Sequence, residues 1–346
     1  LEKAVSSTIQ PETVLRELSD LWVSLAKESE PGQSSGVLRA CAMTLVTAVD
    51  ESEDAASVWS TVAALMPEHP SRAIVIRFRQ SPVRELSARV FSQCWMPFGQ
   101  RRQICCEQIE IAASDASLPD LPAVIVPLAV SDLPVILWSR GSRLFSLPEF
   151  PELIQVADKV VLDAALFPDA AALLRQLAGQ IRQETVFGDL AWTRLTRWRE
   201  LVSQIFENRS YLARLSGIDR VRIGFGGDAK PASGYYLAAW LLDCLENAGA
   251  KARVEWEPGM SVRAGDLARL ELVGAGDDGL RALIAVAGDG KRHCAEVRVG
   301  SLSNRTMFPP DNDYVLLREE LSIPGPDPVY TRTLARASRL ATAENP

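Results

Sequence analysis

The chain is poor in the residues from which catalytic and metal centres are most often built. Its 346 residues include two histidines, and its six cysteines, at 41, 94, 105, 106, 244 and 294, have no paired metal-ligand spacing. That pattern argues against a structural zinc site. No serine stands in a Gly-x-Ser-x-Gly elbow. Long uninterrupted apolar runs are also missing: the longest apolar stretch, Leu121 to Trp138, is broken by Pro122, Pro127, Asp132 and Pro134, which excludes a helical membrane span there. There is no lysine-rich run, the arginines are scattered and the formal net charge is −7, so a nucleic-acid footprint is not expected. No signal-peptide pattern precedes the first helix, although Leu1 stands where an initiating Met would be. Most cysteines lie in apolar segments, so reduced, buried thiols in a cytoplasmic protein are expected. Cys105 and Cys106, read as neighbours on a strand, point to opposite faces and are not expected to join or to act in redox chemistry.

What is present describes a folded chain. Apolar residues make up 47% and charged residues 23%, the balance of an ordinary globular protein. The length exceeds what one core usually supports, so two domains are expected, 1–207 and 208–346. Pro11 to Lys27 reads as an amphipathic helix with Leu18, Leu21, Trp22 and Leu25 on one face. Strands and helices then alternate: a strand over 38–49, a helix over 53–65, a half-exposed strand around Ile74, Ile76 and Phe78, a strand over 103–112, an ambiguous stretch over 116–130, short apolar strands at 133–138 and 160–162 with a helix around 150–157 between them, and a helix over 170–183. That alternation implies a mixed, partly parallel sheet with helices on both faces.

Beyond residue 208 the pattern changes. Val221, Ile223 and Phe225 alternate with polar neighbours, and Ala232 to Leu245 is an almost wholly apolar helix that must be buried on more than one side. Strands follow over 252–256, 267–273, 283–287 and 294–299, the last three joined through glycine-rich hairpin signals at 274–279 and 288–291. These imply a smaller α+β domain with a mainly antiparallel sheet and helices, and the tail over 327–341 reads as a closing helix.

The densest constellation is Asp189 to Arg199, with Trp192 and Trp198 beside Arg194, Arg197 and Arg199. Leu195, Trp198, Val202 and Ile205 recur at helical spacing, which places Trp198 on a buried stripe and the arginines mostly off it. Trp and Arg anchor protein interfaces through stiff contact area and fixed donor geometry. A helix start with core indoles and solvated arginines explains the same residues equally well. A second candidate is the loop Gly224 to Gly234, where Gly226, Gly227, Lys230 and Ser233 lead from a strand into a helix and could hold an anion on free backbone N–H groups. It lacks the P-loop ending and the dinucleotide glycine spacing, so an ordinary strand-to-helix turn is the simpler reading. Asp163 ends a strand where α/β sheets bind ligands, and serves equally as a helix cap. His69 precedes Pro70 in a turn with no orienting acid nearby in sequence, so His69-Pro70-Ser71-Arg72 reads as structural, with Arg72 available to a partner or a carboxylate.

Four motifs in order, His69-Pro70-Ser71-Arg72, Cys105-Cys106-Glu107-Gln108, Asp132 to Trp138 and Asp189 to Arg199, together with the helix around 18–25, Arg39 and Met43 to Val46, resemble the glucose-6-phosphate dehydrogenase assembly protein family, the OpcA proteins. The resemblance covers the first two thirds and continues in layout beyond. It implies a non-catalytic cytoplasmic partner that assembles or allosterically activates glucose-6-phosphate dehydrogenase, without cofactor, metal or catalytic residues of its own. Its contacts would be made by Trp192, Arg194, Arg197, Arg199 and Arg72. The alternatives are a phosphosugar- or nucleotide-binding protein or enzyme using the 224–234 loop, and a scaffold that binds the dehydrogenase without altering its kinetics.

Overall fold

A computed structural model of the chain describes residues 9–28, 37–96, 103–180, 185–276, 278–286, 294–308 and 311–343. It divides into two compact units, the first formed from 1–162, 185–188 and 313–324, the second from 163–184, 189–312 and 325–346. Residues 207 and 208 both fall inside the second unit. This division differs from a single boundary after 207 because two short returns of the chain, 185–188 and 313–324, complete the first unit.

The first unit contains α1 (Pro11–Glu28), β1 (Val37–Arg39), β2 (Met43–Asp50), α2 (Ala55–Leu65), β3 (Ser71–Arg79), β4 (Leu86–Trp95), β5 (Gln103–Ser114), α3 (Leu121–Leu128), β6 (Val135–Ser139), α4 (Ser142–Phe145), α5 (Phe150–Ile154) and β7 (Lys159–Leu162). One eight-stranded sheet runs in the order β1-β5-β3-β2-β6-β7-β8, with β8 at Val186–Asp189 and β4 attached to β5. The central strand β2 is parallel to both β3 and β6, β3 to β5, and β6 to β7, whereas β4 is antiparallel to β5.

Seven consecutive residues of β2 are buried and all of β7 is, so both faces of the sheet are covered there. The same is true of β3, buried from Ser71 through Ile76, which corrects the half-exposed reading. Arg77 and Arg79 suggest an exposed face, but they lie at the strand's carboxyl end, beyond the covered part. The expected single strand over 38–49 is two, β1 and β2, because the chain leaves β5 at Arg39 and joins β3 at Met43.

The strand β4 has no expectation in the sequence reading and has a chemical consequence. Its register sets Cys94 opposite Cys105, and the two form a disulfide. Those two cysteines are therefore not the reduced thiols expected. Cys106 points the other way, its thiol donating to the Ala40 carbonyl at 3.3 Å and pushed up to about 11 by burial.

The second unit contains α6 (Ala170–Gln180), α7 (Leu190–Thr193), α8 (Thr196–Phe206), α9 (Arg209–Leu212), β9 (Ile218–Phe225), α10 (Ala232–Asn247), β10 (Arg253–Glu257), β11 (Leu267–Gly274), β12 (Arg281–Val286), β13 (Cys294–Val299) and β14 (Leu302–Met307). Helix α11 (Asp313–Leu321) belongs to the first unit and α12 (Pro328–Ala343) to the second. A six-stranded sheet runs β10-β9-β11-β12-β13-β14, parallel at β10/β9 and antiparallel elsewhere. Its inward residues, among them Val221, Ile223, Phe225, Leu270, Leu272 and Ile284, are each at most 1% exposed. Between them Arg222 pairs with Glu255 at 2.8 Å and Arg269 with Glu271 at 2.9 Å on the polar face. Helix α10 is buried at every position from Ala232 to Ala239, as its apolar sequence requires.

Candidate functional site

Glu107 gathers several of the sequence motifs into one cluster. It lies on β5, is 4% exposed, and accepts from Trp22 Nε1 at 2.6 Å, from Arg39 Nη2 at 2.9 Å and from Arg72 Nε at 2.6 Å. Arg72 also donates to the Leu128 carbonyl that ends α3, at 2.6 Å. Of the two roles open to Arg72, the carboxylate is the one it takes. Arg72 is 7% exposed, because β3 begins inside the sheet between β2 and β5.

The Trp/Arg segment is internal to the second unit. Asp189 caps α7 by accepting from Ala191 N at 2.8 Å, and also accepts from Ala164 N at 3.0 Å and the Tyr236 hydroxyl at 2.7 Å. It is wholly buried, and that burial, with the charge of Asp163 beside it, pushes its carboxyl up to about 7. The Tyr236 hydroxyl is raised well above its ordinary value by burial and then by Asp189. Trp192, 3% exposed, donates Nε1 to Asp327 at 3.1 Å, packs on Tyr236 and Tyr330 with ring centroids 6.1 Å away, and carries the Arg199 guanidinium 3.8 Å above its ring.

Arg194 grips Asp163 through Nη1 at 3.2 Å and Nη2 at 2.8 Å, and its Nε meets Asp311. Burial alone would lower its pKa, but the two carboxylates outweigh burial and raise it. Asp163 meanwhile accepts from Ala165 N at 3.0 Å, the capping role foreseen for it. Trp198, also 3% exposed, lies against Phe308 on the expected stripe with Leu195, Val202 and Ile205. Trp192 and Arg194 are therefore framework residues rather than exposed anchors. Arg197 is the one of these arginines at the surface, 57% exposed and paired with Glu200 at 2.7 Å.

The glycine-rich loop is closed by its own chain. Gly226 donates its N–H to Asp266 O at 3.0 Å and accepts from Gly265 N at 3.0 Å, while Gly227 O accepts from Gly259 N at 2.9 Å. A Cβ on Gly226 would stand 2.3 Å from Arg263 O, so close backbone approach requires glycine here. Lys230 lies over the Trp256 ring at 5.2 Å, and Ser233 is 5% exposed. The turn reading accounts for Gly226, Gly227, Lys230 and Ser233.

At the carboxyl edge of the parallel sheet the sequence singles out Asp163 alone, after β7, and has no expectation for the crevice between β2 and β6. Strand order reverses between β2 and β6, the crevice where open α/β sheets take nucleotides. A dinucleotide needs a glycine-rich turn and free helix N–H groups after the first of these strands. Here that turn is Asp50-Glu51-Ser52-Glu53-Asp54, and Asp54 caps α2 itself, accepting from Ala56 N at 3.0 Å. Arg140, following β6, donates to Glu53 at 2.7 Å and meets Asp313; Arg143, on α4, meets Asp50 and donates to Asp115 at 2.7 Å. Ion pairs thus bridge the crevice, and the turn after β2 carries four acidic residues and no glycine. The residues do not fit a dinucleotide. The run of acids between a strand and a helix is a signal legible in the sequence. Its arginine partners, 87 and 93 residues away, are not.

The fold and crevice define a two-unit protein, one sheet of nucleotide-binding topology without a fitting nucleotide site and one mainly antiparallel sheet. Family models described as glucose-6-phosphate dehydrogenase subunit N-terminal domain and C-terminal domain match residues 62–179 and 185–334. The chain belongs to this OpcA family of glucose-6-phosphate dehydrogenase assembly subunits. The OpcA protein of Nostoc punctiforme, provisionally named for the OxPP cycle, is 28% identical over 45% of this chain and 31% of its own length. That of Synechocystis sp. is 24% identical over 59% of this chain and 41% of its own. The matched part of this chain thus spans well under half the length of these relatives. Among solved structures, glucose-6-phosphate 1-dehydrogenase from Mycobacterium avium aligns over 88% of this chain and 93% of its own at 9% identity, TM-score 0.48. An oxidoreductase from Sinorhizobium meliloti aligns over 87% and 96% at 8% identity, also at 0.48.

Proposed function

We propose that the chain is a non-catalytic, cytoplasmic partner of glucose-6-phosphate dehydrogenase that assembles or allosterically activates it. The observation that carries the non-catalytic part is the crevice at β2/β6, held shut by Arg140 and Arg143 against Glu53, Asp313, Asp50 and Asp115. A hydride-transfer enzyme needs its nicotinamide cofactor there, and this edge offers carboxylates instead. The family supports the partner. Activation requires that the chain bind the competent state of the dehydrogenase more tightly than the other, since equal affinity shifts nothing.

The docking surface includes the polar face of α8, where Arg197 and Glu200 are exposed, while Trp192, Arg194 and Arg199 hold the segment behind it. The test is to mix the purified chain with the dehydrogenase of the same organism and measure complex mass and glucose 6-phosphate saturation. A complex with altered saturation is expected. A complex with unchanged kinetics would leave only the scaffold role, and no complex at micromolar concentration, or NADP reduction by the chain alone, would overturn the reading.

A further inference from the structure

A cleft of about 430 Å³ opens beside the filled crevice, at the carboxyl ends of β3 and β5. Arg77, Arg79 and Arg84 line it against Glu51 and Glu85, with the small, exposed side chain of Ala112 as its floor. Its volume lies in the range of small-ligand sites.

The charges in the cleft are unevenly matched. Arg79 takes both carboxylates, Glu51 through Nε at 3.0 Å and Glu85 through Nη1 at 3.1 Å, and all three side chains are exposed by 43% or more. Exposed pairs of this kind hold weakly and exchange partners readily. Arg84 meets Asp120 at 3.2 Å, again at the surface. Arg77 differs. Among the described residues no carboxylate comes within ion-pair distance of it, its one side-chain hydrogen bond is Nη2 to the Glu51 carbonyl at 3.4 Å, and its Nε is buried without an acceptor, the Glu51 carboxylate acting on it only through space. A buried guanidinium donor without an acceptor is costly, and buried polar groups in folded proteins nearly always have partners.

We infer that this cleft is a binding site for a phosphate monoester of about sugar size, with Arg77 as its anchor. A phosphoryl group carries two negative charges and accepts two parallel N–H bonds from one guanidinium, which would satisfy the Nε of Arg77 and draw in Arg79 and Arg84. The small floor at Ala112 leaves room for the rest of the ligand. Selectivity comes from the neighbouring turn, Asp50 to Asp54, whose carboxylates repel a pyrophosphate, so a monoester is accepted and a dinucleotide is not. The site is separate from the glycine-rich loop and independent of the partner role.

The experiment is thermal unfolding of the full chain with glucose 6-phosphate, inorganic phosphate, glucose or NAD at about 10 mM, since a ligand of the native state raises Tm by mass action. Glucose 6-phosphate is expected to raise Tm by about 2 °C or more, inorganic phosphate by less, glucose by nothing, and NAD, which has a pyrophosphate and no monoester, by no more than inorganic phosphate. If inorganic phosphate matches glucose 6-phosphate, the site reads the free anion and the monoester assignment fails. Arg77→Met removes the unmatched Nε together with one long, exposed contact to the Glu51 carbonyl, so its stability without ligand should lie within about 0.5 kcal/mol of the parent's, while its phosphate affinity falls about tenfold or more. Ala112→Glu, at an exposed position, places a carboxylate in the cleft and should abolish the response with the fold unchanged. A response that survives either substitution, or no response to any phosphate, overturns the site.

Discussion

Asp189 shows how one buried carboxyl couples the second unit to pH. Its carboxyl, held at about 7, lies above the unfolded value near 3.9, so between about pH 4 and pH 7 the native state binds more protons than the unfolded one. Stability therefore falls as pH rises through that window and is level above it. Asp189→Asn keeps the acceptor for Ala164 and Ala191 and removes the charge. Its urea midpoint should change less between about pH 5 and about pH 8 than the parent's, and an identical change in both proteins would show that Asp189 does not titrate there. The arginines nearby separate in the same way by burial. Arg194→Ala leaves Asp163, 7% exposed, without its cation and should cost about 3 to 5 kcal/mol of unfolding free energy. Arg197→Ala should change stability by less than about 0.5 kcal/mol and weaken dehydrogenase binding. Denaturation and binding titrations on both variants check this, and an Arg194→Ala protein of parental stability would sink the framework role.

At the scale of elements, Glu107 ties four of them together: α1 through Trp22, β1 through Arg39, β3 through Arg72 and, by way of Arg72, the end of α3. A carboxylate that satisfies two cations and an indole is hard to replace. Glu107→Ala leaves the Arg72 guanidinium buried and unpaired, a loss of about 3 to 5 kcal/mol, whereas Glu107→Gln retains an acceptor and should cost less. Midpoints of chemical denaturation would rank the two, and equal values would mean that the ion pair contributes nothing beyond packing. The motifs that carry the family resemblance around Trp22, Arg39, Arg72 and Glu107 are thus explained by one buried ion cluster in the first unit.

For the whole molecule, the discontinuous units make a prediction that a single cut does not. Lys159 on β7 is 4% exposed and satisfied by Glu320 Oε1 at 2.7 Å and by the carbonyls of Glu320 and Ile323, each at 2.8 Å, all from the returning segment 313–324. Gly188 receives the same side chain: a Cβ there would stand 2.1 Å from Glu320 Oε1. A fragment ending at 207 loses α11, leaves the Lys159 ammonium buried without its carboxylate and exposes the glycine. Such a fragment is expected to unfold without a cooperative transition, although every residue of β1 to β8 and the intervening helices of the first unit are still in it. A sharp, cooperative melt of 1–207 alone would show that the boundary at 207/208 marks an independently folding piece after all.

Local pattern was enough for much of this architecture. The 3.6-residue period of α1 and α8, the two-residue period of β9, the apolar runs of β6 and β7 and the unbroken apolar α10 can each be recognised from a dozen residues, because helix and strand burial repeat along the chain itself. So could the change from a partly parallel sheet to hairpins, and the placement of Trp198 in the core. What the tertiary structure alone decided is which groups meet. Arg72 and Glu107 are 35 residues apart, Arg140 and Asp313 are 173, and Lys159 and Glu320 are 161. Nothing periodic links such pairs, so Arg72, open in the sequence to a partner or a carboxylate, is buried on Glu107, and Arg194, off the buried stripe, is half-buried on Asp163. Strand pairing likewise set Cys94 against Cys105 and closed the glycine-rich loop on 259–266. Burial and charge compensation depend on contacts across the fold, and those are not written in any one stretch of the chain.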